Sequence, residues 1–300
     1  MQATPILVER RFPLELKRSI VSIRELYEIS KASRWTPAKD IAWDSFDPGA
    51  SEAARNAARL VWSRRAWLEY TGLAETPALL IRFCLELDRE SDPKYFLAVR
   101  NTEEAWHLEC FHRYAKALGG YINAPSDKRW EAVLNRTLYR DALDATQSLD
   151  GYVAVHCAIE DGIELALYQL YAGNAREPVA AQILARAVAA KERHASFGWL
   201  YLQERAARMD DAAKAAIVSQ IESWLTHVAF AGYQIPSLST EIDAGDYEAA
   251  ATLAAEAGLG AATPAQEQQT FRQCVQDART RLAQWGFALP TVRHPVLGEV

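Results

Sequence analysis

The stretch that decides the fold is residues 101–114, which reads Asn-Thr-Glu-Glu-Ala-Trp-His-Leu-Glu-Cys-Phe-His-Arg-Tyr. Within it, Glu104 and His107 stand three residues apart. That spacing places both side chains on one face of an α-helix, about one turn from each other. A carboxylate and an imidazole that project together into a helical bundle form half of a two-metal carboxylate site. The stretch therefore predicts a buried helix and a second motif of the same kind elsewhere.

The second motif lies in residues 190–198, which read Ala-Lys-Glu-Arg-His-Ala-Ser-Phe-Gly. His194 stands at the histidine position, but Lys191 stands where the first motif has a glutamate. Three interpretations follow: the ammonium replaces the charge of one metal ion, the neutral amine binds metal or moves aside, or Glu164 takes over the missing role. Glu192 is no substitute, because the next residue on a helix points about 100° away.

Both motifs resemble those of the ferritin-like di-iron carboxylate proteins, in the branch of ribonucleotide reductase small subunits and bacterial di-iron oxygenases. The first motif of that family reads roughly Asp-Glu-Ala-Arg-His-x-Glu-x-Phe-x-Arg-Tyr, and the second reads Asp-Glu-x-Arg-His-x-x-Phe-Gly. The resemblance covers roughly residues 35 to 205. It implies an all-α, ferritin-like four-helix bundle with additional helices, one or two iron ions (or manganese), and a reaction with O2.

The composition narrows the classes of partner. The chain has 300 residues, half of them hydrophobic, with a net charge of −6 and no basic tract, which disfavours nucleic acid. No apolar run reaches the ~20 residues of a membrane span, and the N-terminus lacks a signal pattern. We expect a cytoplasmic protein with no membrane partner. The cysteines are scattered and are expected to be core thiols: Cys84, Cys110, Cys157 and Cys274.

Helical periodicity and cap residues divide the chain into three parts. We expect an N-terminal arm, helix and loop over 1–50, the helical bundle over 51–232, and a C-terminal helical extension packed on the bundle over 233–300. Ser51 is a predicted N-cap, Pro77 a predicted kink, and Pro178 opens the helix of the second motif. Helices are predicted near 14–33, 51–88, 93–119, 127–147, 150–172, 178 onward, 210–230, 244–257 and 263–285, with an extended tail after 290.

The helix before the first motif should supply a further carboxylate. Antiparallel neighbours meet at similar distances from their shared turn, and the turn is predicted near Ser91. The level of Glu104 then falls near residue 78, so Glu75 is the nearest carboxylate. Glu69 is judged too far from that level and Glu86 too near the turn. The resemblance agrees, because the first ligand of the family precedes an Ala-Leu-Leu segment that is also present here.

The same argument applies to the helix before the second motif. With a turn near Ala175, the level of Lys191 falls near residue 159, which favours Glu160. Glu164 remains a rival one turn along, and His156 lies one turn back. The predicted metal ligands are therefore Glu75, Glu104, His107, Glu160 and His194, with Lys191 and Glu164 as catalytic candidates.

Five ionisable groups that converge in a core are costly to bury without cations, which favours a metal site. The resemblance then implies an O2-dependent oxidoreductase, such as a hydroxylase, N-oxygenase or desaturase, that uses a small organic substrate and an electron donor. The alternative is a non-catalytic, ferritin-like binding or partner protein whose metal site has decayed. Iron storage is less favoured, because the chain is longer than storage ferritins. A homodimer, the substrate and the number of metal ions stay open.

Overall fold

The computed structural model describes residues 18–86, 89–135 and 138–300, so the predicted arm at the extreme N-terminus lies outside the described residues. Nearly all regular structure within these ranges is helical. The α-helices are α1 (Val21–Ala32), α2 (Pro37–Asp40), α3 (Glu52–Leu85), α4 (Asp92–Ala117), α5 (Lys128–Leu134), α6 (Leu138–Leu143), α7 (Leu149–Tyr152), α8 (Asp161–Asn174), α9 (Pro178–Ala206), α10 (Asp211–Trp224), α11 (Gly245–Glu256) and α12 (Pro264–Ala283).

Shorter elements complete the description. Two π-helical stretches, Val153–Glu160 and Leu225–Ala229, continue α7 and α10, and 3-10 turns cover Trp43–Ser45 and Pro236–Leu238. Strands β1 (Arg293–His294) and β2 (Gly298–Glu299) pair antiparallel, so the tail predicted to be extended is a small hairpin. The prediction of an all-α fold is confirmed. Within the described ranges, no helix combines the length and apolar character that crossing a bilayer requires.

The core is the predicted four-helix bundle. Helices α3 and α4 form one antiparallel pair, the π-helical stretch with α8 and α9 forms the other, and α4 packs against α9. The Ser51 side chain accepts a hydrogen bond from the Ala54 amide, as an N-cap does. Helix α3 is continuous through Pro77 and ends at Leu85. The bundle therefore brings the two motif helices, α4 and α9, side by side.

Two predicted helices differ from the structure. Residues 127–147 form the short helices α5 and α6 rather than one long helix. The Arg82 guanidinium donates to the carbonyl oxygens of Ala142, Asp144 and Gln147, which holds this segment in a non-helical path. Residues 150–172 are helical, but the middle of the segment is the π-helical stretch Val153–Glu160.

A close backbone contact accompanies the π-helical stretch. Gly198 on α9 lies so near the Cys157 carbonyl that a Cβ at this position would stand 1.9 Å from the carbonyl oxygen. Only glycine permits that approach without displacing one of the two helices. The Phe-Gly end of the second motif therefore sets how closely α9 packs on the helix opposite.

The C-terminal helices pack on the bundle, α11 against α3 and α12 against α8. The Trp62 indole of α3 donates to the Leu259 carbonyl at 2.9 Å. Glu267 of α12 is 2 % exposed and accepts a hydrogen bond from the Tyr171 hydroxyl at 2.7 Å. The division into three parts stays a prediction, but these contacts show how the extension is attached.

Glu267→Gln is expected to stabilise the protein at pH 8 and to have little effect at pH 4.5. Burial raises the pKa of Glu267 to about 7, and the Tyr171 hydrogen bond only partly offsets it. The folded state therefore holds this proton more tightly than the unfolded state, so stability falls as the pH rises from about 4.5 to 7. Thermal melts should show a gain of up to about 3 kcal/mol at pH 8. An equal change at both pH values would contradict this, and Glu222→Gln on the exposed face of α10 is the control.

Candidate metal centre

The two motifs meet in the bundle interior. Glu104 and His107 of α4, and Lys191 and His194 of α9, are each at most 4 % exposed. The imidazole rings of His107 and His194 are 6.4 Å apart between centroids. We name these side chains, with two carboxylates from α3 and α8, the carboxylate–histidine cluster: Glu69, Glu104, His107, Glu164, Lys191 and His194.

The α3 carboxylate of this cluster is Glu69. Its Oε1 atom lies 2.9 Å from His107 Nδ1, and its Oε2 atom lies 3.1 Å from Lys191 Nζ. Burial alone raises the pKa of Glu69, but the Lys191 ammonium and the His107 hydrogen bond outweigh it and lower the pKa to about 2. Glu69 is therefore a buried, ionised carboxylate that touches both motifs.

The prediction that Glu69 lies too far from the first motif is wrong. Helix α3 ends at Leu85 and α4 begins at Asp92, so their midpoint lies about two residues before the predicted turn at Ser91. This shift moves the level of His107 close to Glu69. Glu69 and Glu75 both line a cavity of about 60 Å³, but the Oε1 atom of Glu75 accepts a hydrogen bond from the Tyr152 hydroxyl at 2.7 Å.

Lys191 lies between two carboxylates. Its Nζ atom is 3.1 Å from Glu69 Oε2 and 2.9 Å from Glu164 Oε1. Burial lowers the pKa of Lys191, but Glu164 and Glu69 more than reverse this and hold it well above its ordinary value. The amine is thus an ammonium inside the cluster, as one interpretation of the sequence predicted, and the interpretations in which it binds metal or moves aside stay predictions.

Glu164, rather than Glu160, faces the second motif. Long helical side chains lean toward the N-terminus of their helix. Because α8 and α9 run antiparallel, Glu164 and Lys191 lean toward each other. Glu160 ends the π-helical stretch and instead lies 2.6 Å from His156 Nδ1, while Gln234 Nε2 donates to its other oxygen at 3.0 Å. The spacing argument that preferred Glu160 is wrong about which carboxylate meets Lys191.

Glu104 has one occupied and one free oxygen. Its Oε1 atom accepts from Arg100 Nε at 2.8 Å and from Thr76 Oγ1 at 2.9 Å. In the part of the chain that the structure describes, its buried Oε2 atom has no hydrogen-bond partner. Burial raises the pKa of Glu104 to about 7, although Arg100 acts in the opposite direction. Gly72 makes room for this carboxylate, because a Cβ there would lie 3.1–3.3 Å from its atoms.

The Nε2 atoms of the two motif histidines differ in their hydrogen-bond partners. Glu103 Oε2 lies 3.0 Å from His194 Nε2, and Arg193 also contacts Glu103. Burial lowers the pKa of His194 well below its ordinary value, so the ring is neutral. When the two motifs are aligned on their histidines, Ala190 takes the position of Glu103. The alanine methyl group cannot accept a hydrogen bond from His107. His107 Nε2 is buried without a partner among the described residues.

The sequence analysis missed Glu69 and Glu103 as members or supports of the site. Glu103 carries a signal, because it directly precedes Glu104 and the family motif has an acid at that place. For Glu69, the sequence contains no signal other than its position along the helix. Two predicted ligands, Glu75 and Glu160, lie instead beside Tyr152 and His156 at the wall of the same cavity, which is about 60 Å³.

One pair of donor atoms in the cluster has the spacing of neighbouring metal ligands. Across residues 18–86, 89–135 and 138–300, no three His, Cys, Asp or Glu side chains are arranged as a ready metal site. Glu69 Oε1 and His107 Nδ1 are 2.9 Å apart, the spacing of neighbouring ligands at metal–ligand distances of about 2.0–2.2 Å. A third donor is Glu104 Oε2, which has no hydrogen-bond partner among the described residues and belongs to a side chain that lines the same cavity as Glu69. At the second motif, the Lys191 ammonium lies between the carboxylates of Glu69 and Glu164.

Comparison with solved structures bears on the fold of the chain. The chain is similar to an R2-like ligand-binding oxidase without metal cofactor, at 20 % identity and a TM-score of 0.60, over 87 % of this chain and 96 % of that one. It is also similar to variants of that oxidase with an Fe/Fe cofactor (20 % identity, TM-score 0.57, 86 % and 92 % covered) and with a Mn/Fe cofactor (20 %, 0.56, 87 % and 92 %).

These similarities establish that the chain shares its helical fold with R2-like ligand-binding oxidases. No family model matches the sequence, and no curated protein matches it. The fold resemblance drawn from the two motifs is thereby confirmed. The chemistry of this chain has to be argued from its own side chains.

Proposed function

We propose that the protein is an O2-dependent oxidoreductase that acts on a small organic substrate with one bound iron or manganese ion. Glu69, Glu104 and His107 would hold the ion, and Lys191 takes the place of a second one. The observation that carries the proposal is the pairing of Glu69 with His107, together with Glu104, which lines the same cavity as Glu69 and has an Oε2 atom without a partner among the described residues. Two carboxylates and one imidazole are donors that suit both metals.

The fold supports the same conclusion, because structures similar to this chain carry Mn/Fe or Fe/Fe cofactors. A bound ion would supply O2 activation, with electrons from an external donor. Lys191 would repel a second cation and hold Glu69 ionised next to the first. Arg100 contributes a further fixed charge, since it pairs with Glu104 and with Asp161.

Glu164 is the proposed proton-transfer group. Its side chain is 25 % exposed, lines the cavity and contacts Lys191. Burial raises the pKa of Glu164 to about 7 despite the opposing effect of Lys191. A carboxyl with that pKa exchanges its proton near neutral pH, as general acid–base groups do. Lys191 Nζ keeps the Glu164 carboxyl oriented in the cavity.

A second candidate is a non-catalytic binding or partner protein. Lys191 and Arg100 already offset several of the buried carboxylates without a metal ion. A cluster that is neutralised by side chains is stable on its own. This candidate predicts that the protein binds no stoichiometric metal.

Metal counting separates the candidates. Metal-free protein is loaded anaerobically with Fe(II) or Mn(II), desalted, and measured by mass spectrometry of the metals, with O2 uptake followed after addition of a reductant. We expect one ion per chain in the parent and none in His107→Ala. His112→Ala, on the same helix but outside the cluster, should retain one ion. No binding by the parent would favour the non-catalytic candidate, and two ions would contradict the role given to Lys191.

A further inference from the structure

Arg65 of α3 is a buried cation that forms no ion pair within the described part of the chain. The residue is 5 % exposed, and among the described residues neither Nη1 nor Nη2 forms a hydrogen bond. Its guanidinium lies over the rings of Trp62 and Tyr171, at 4.6 and 4.2 Å from their centroids. Guanidinium groups are costly to bury without acceptors. The two unused ends of this fork therefore point to a ligand.

The neighbouring charges do not supply the missing acceptor. Arg64, one residue earlier, donates to the carbonyl oxygens of Gly232 and Tyr233 at 2.8 and 2.6 Å, so its role is structural. Of the two nearby acids, Glu164 is paired with Lys191, and Glu267 accepts a hydrogen bond from the Tyr171 hydroxyl and is attracted to Arg65 without an ion-pair contact. Within the described residues, no carboxylate forms an ion pair with Arg65.

Arg65 lines a cavity of about 30 Å³ that adjoins the metal centre. Leu68, Glu164 and Gln234 line both this cavity and the one of about 60 Å³ beside the carboxylate–histidine cluster. At about 10–15 Å³ for each ordered atom, the smaller cavity holds two or three heavy atoms, and the two together hold about six to nine. Tyr168, Tyr171 and Tyr247 form the remaining aromatic wall.

We propose that the smaller cavity binds the carboxylate of a small organic acid, with one oxygen on each of Nη1 and Nη2 of Arg65. The planar fork of arginine matches a carboxylate with two parallel hydrogen bonds. The rings of Trp62 and Tyr171 fix the plane of the fork. The rest of the acid extends past Glu164 toward Glu69 and Lys191.

The identification of this acid as the substrate rests on the proposed oxidoreductase function, whereas its binding does not. The group that would react lies a few atoms from the carboxylate, because the two cavities are adjacent. The available volume selects acids of about six to eight heavy atoms, such as butyrate and hexanoate. Longer chains exceed the space that the two cavities provide.

Binding is tested on full-length, chelator-treated protein at constant ionic strength by calorimetric titration. The probes are acetate, butyrate, hexanoate and decanoate, with butyramide as the neutral analogue and nitrate as an inorganic planar anion. We expect saturable binding of butyrate and hexanoate, at least tenfold tighter than that of butyramide or decanoate. Binding of nitrate without binding of the organic acids would overturn the proposal, and so would the absence of saturable binding.

Arg65→Met removes the fork and keeps an unbranched side chain between the two rings. We expect at least a tenfold loss of affinity for butyrate, with a melting temperature without ligand close to that of the parent, because the variant loses both the unpaired guanidinium and its attraction to Glu267. Arg113→Met, which removes an exposed guanidinium stacked on Trp43, should bind butyrate like the parent. Unchanged affinity in Arg65→Met would overturn the proposal.

Arg65→Lys provides a second test in case the methionine variant does not fold. Lysine keeps the charge but not the two parallel donors, so at least tenfold weaker binding is again expected. Parent-like affinity in this variant would remove the case for a bidentate contact. The acid titrations are made without metal, so their result does not depend on whether the protein binds a metal ion. If the protein binds one metal ion but no acid, only the proposed acid site is overturned.

Discussion

Replacing Lys191 with methionine is expected to lower the free energy of unfolding of the metal-free protein by about 3–5 kcal/mol. Methionine fills a similar volume but leaves Glu69 and Glu164 without their shared cation. Lys191 is also a main reason why the pKa of Glu69 lies at about 2, so that carboxylate would lose most of its compensation. Denaturant unfolding at pH 7.5 with a chelator present measures the loss.

Glu192→Met is the matched control for this prediction. It places the same side chain on the same helix, one residue away and on the exposed face, and should change stability little. The double variant Lys191→Met with Glu164→Gln should recover part of the loss, because one of the two carboxylates is then neutral. A parent-like melt of Lys191→Met would mean that the ion pairs contribute nothing to the fold.

Replacing Lys191 with glutamate is expected to raise the metal content from one ion per chain to two. The change removes the repelling ammonium and gives the second motif the same Glu-x-x-His pattern as the first. Glu164, the new carboxylate and His194 would then offer a second set of donors. Without metal, the variant should be less stable than Lys191→Met, because it brings like charges together in the core. Metal should therefore stabilise it strongly.

The measurement is a metal titration followed by thermal melting with and without Mn(II). Lys116→Glu makes the same change of charge on the exposed side of α4 and should leave both the metal count and the melting temperature close to the parent values. A metal count equal to that of the parent would show that Lys191 does not limit the second site. In that case Ala190, whose side chain cannot accept a hydrogen bond from His107, would be the next residue to replace.

The two halves of the cluster differ by a pair of adjacent positions. Glu103 and Glu104 precede His107, whereas Ala190 and Lys191 precede His194. The first motif therefore has one acid that lines the cavity, Glu104, and one that contacts the histidine of the other motif, Glu103. The second motif has neither. This asymmetry explains why one metal ion is the proposed content, with an ammonium in place of the other.

Sequence alone determined most of the helices and the two motif faces, because helical spacing and capping are local properties. Glu104 and His107 share a face whatever surrounds them, and so do Lys191 and His194. The cap at Ser51 and the start of α9 at Pro178 follow from side-chain and ring geometry within a few residues. The fold class followed from these elements.

Tertiary structure decided which carboxylates meet the motifs. When the position of a turn is assumed, the residues that face each other on the two helices can be predicted only to within about one helical turn. Glu160 and Glu164 are separated by that same distance. The midpoint between α3 and α4 selected Glu69 over Glu75, and the lean of antiparallel side chains selected Glu164. The unpaired fork of Arg65 is likewise invisible in the sequence, because whether a buried donor finds an acceptor depends on residues distant along the chain.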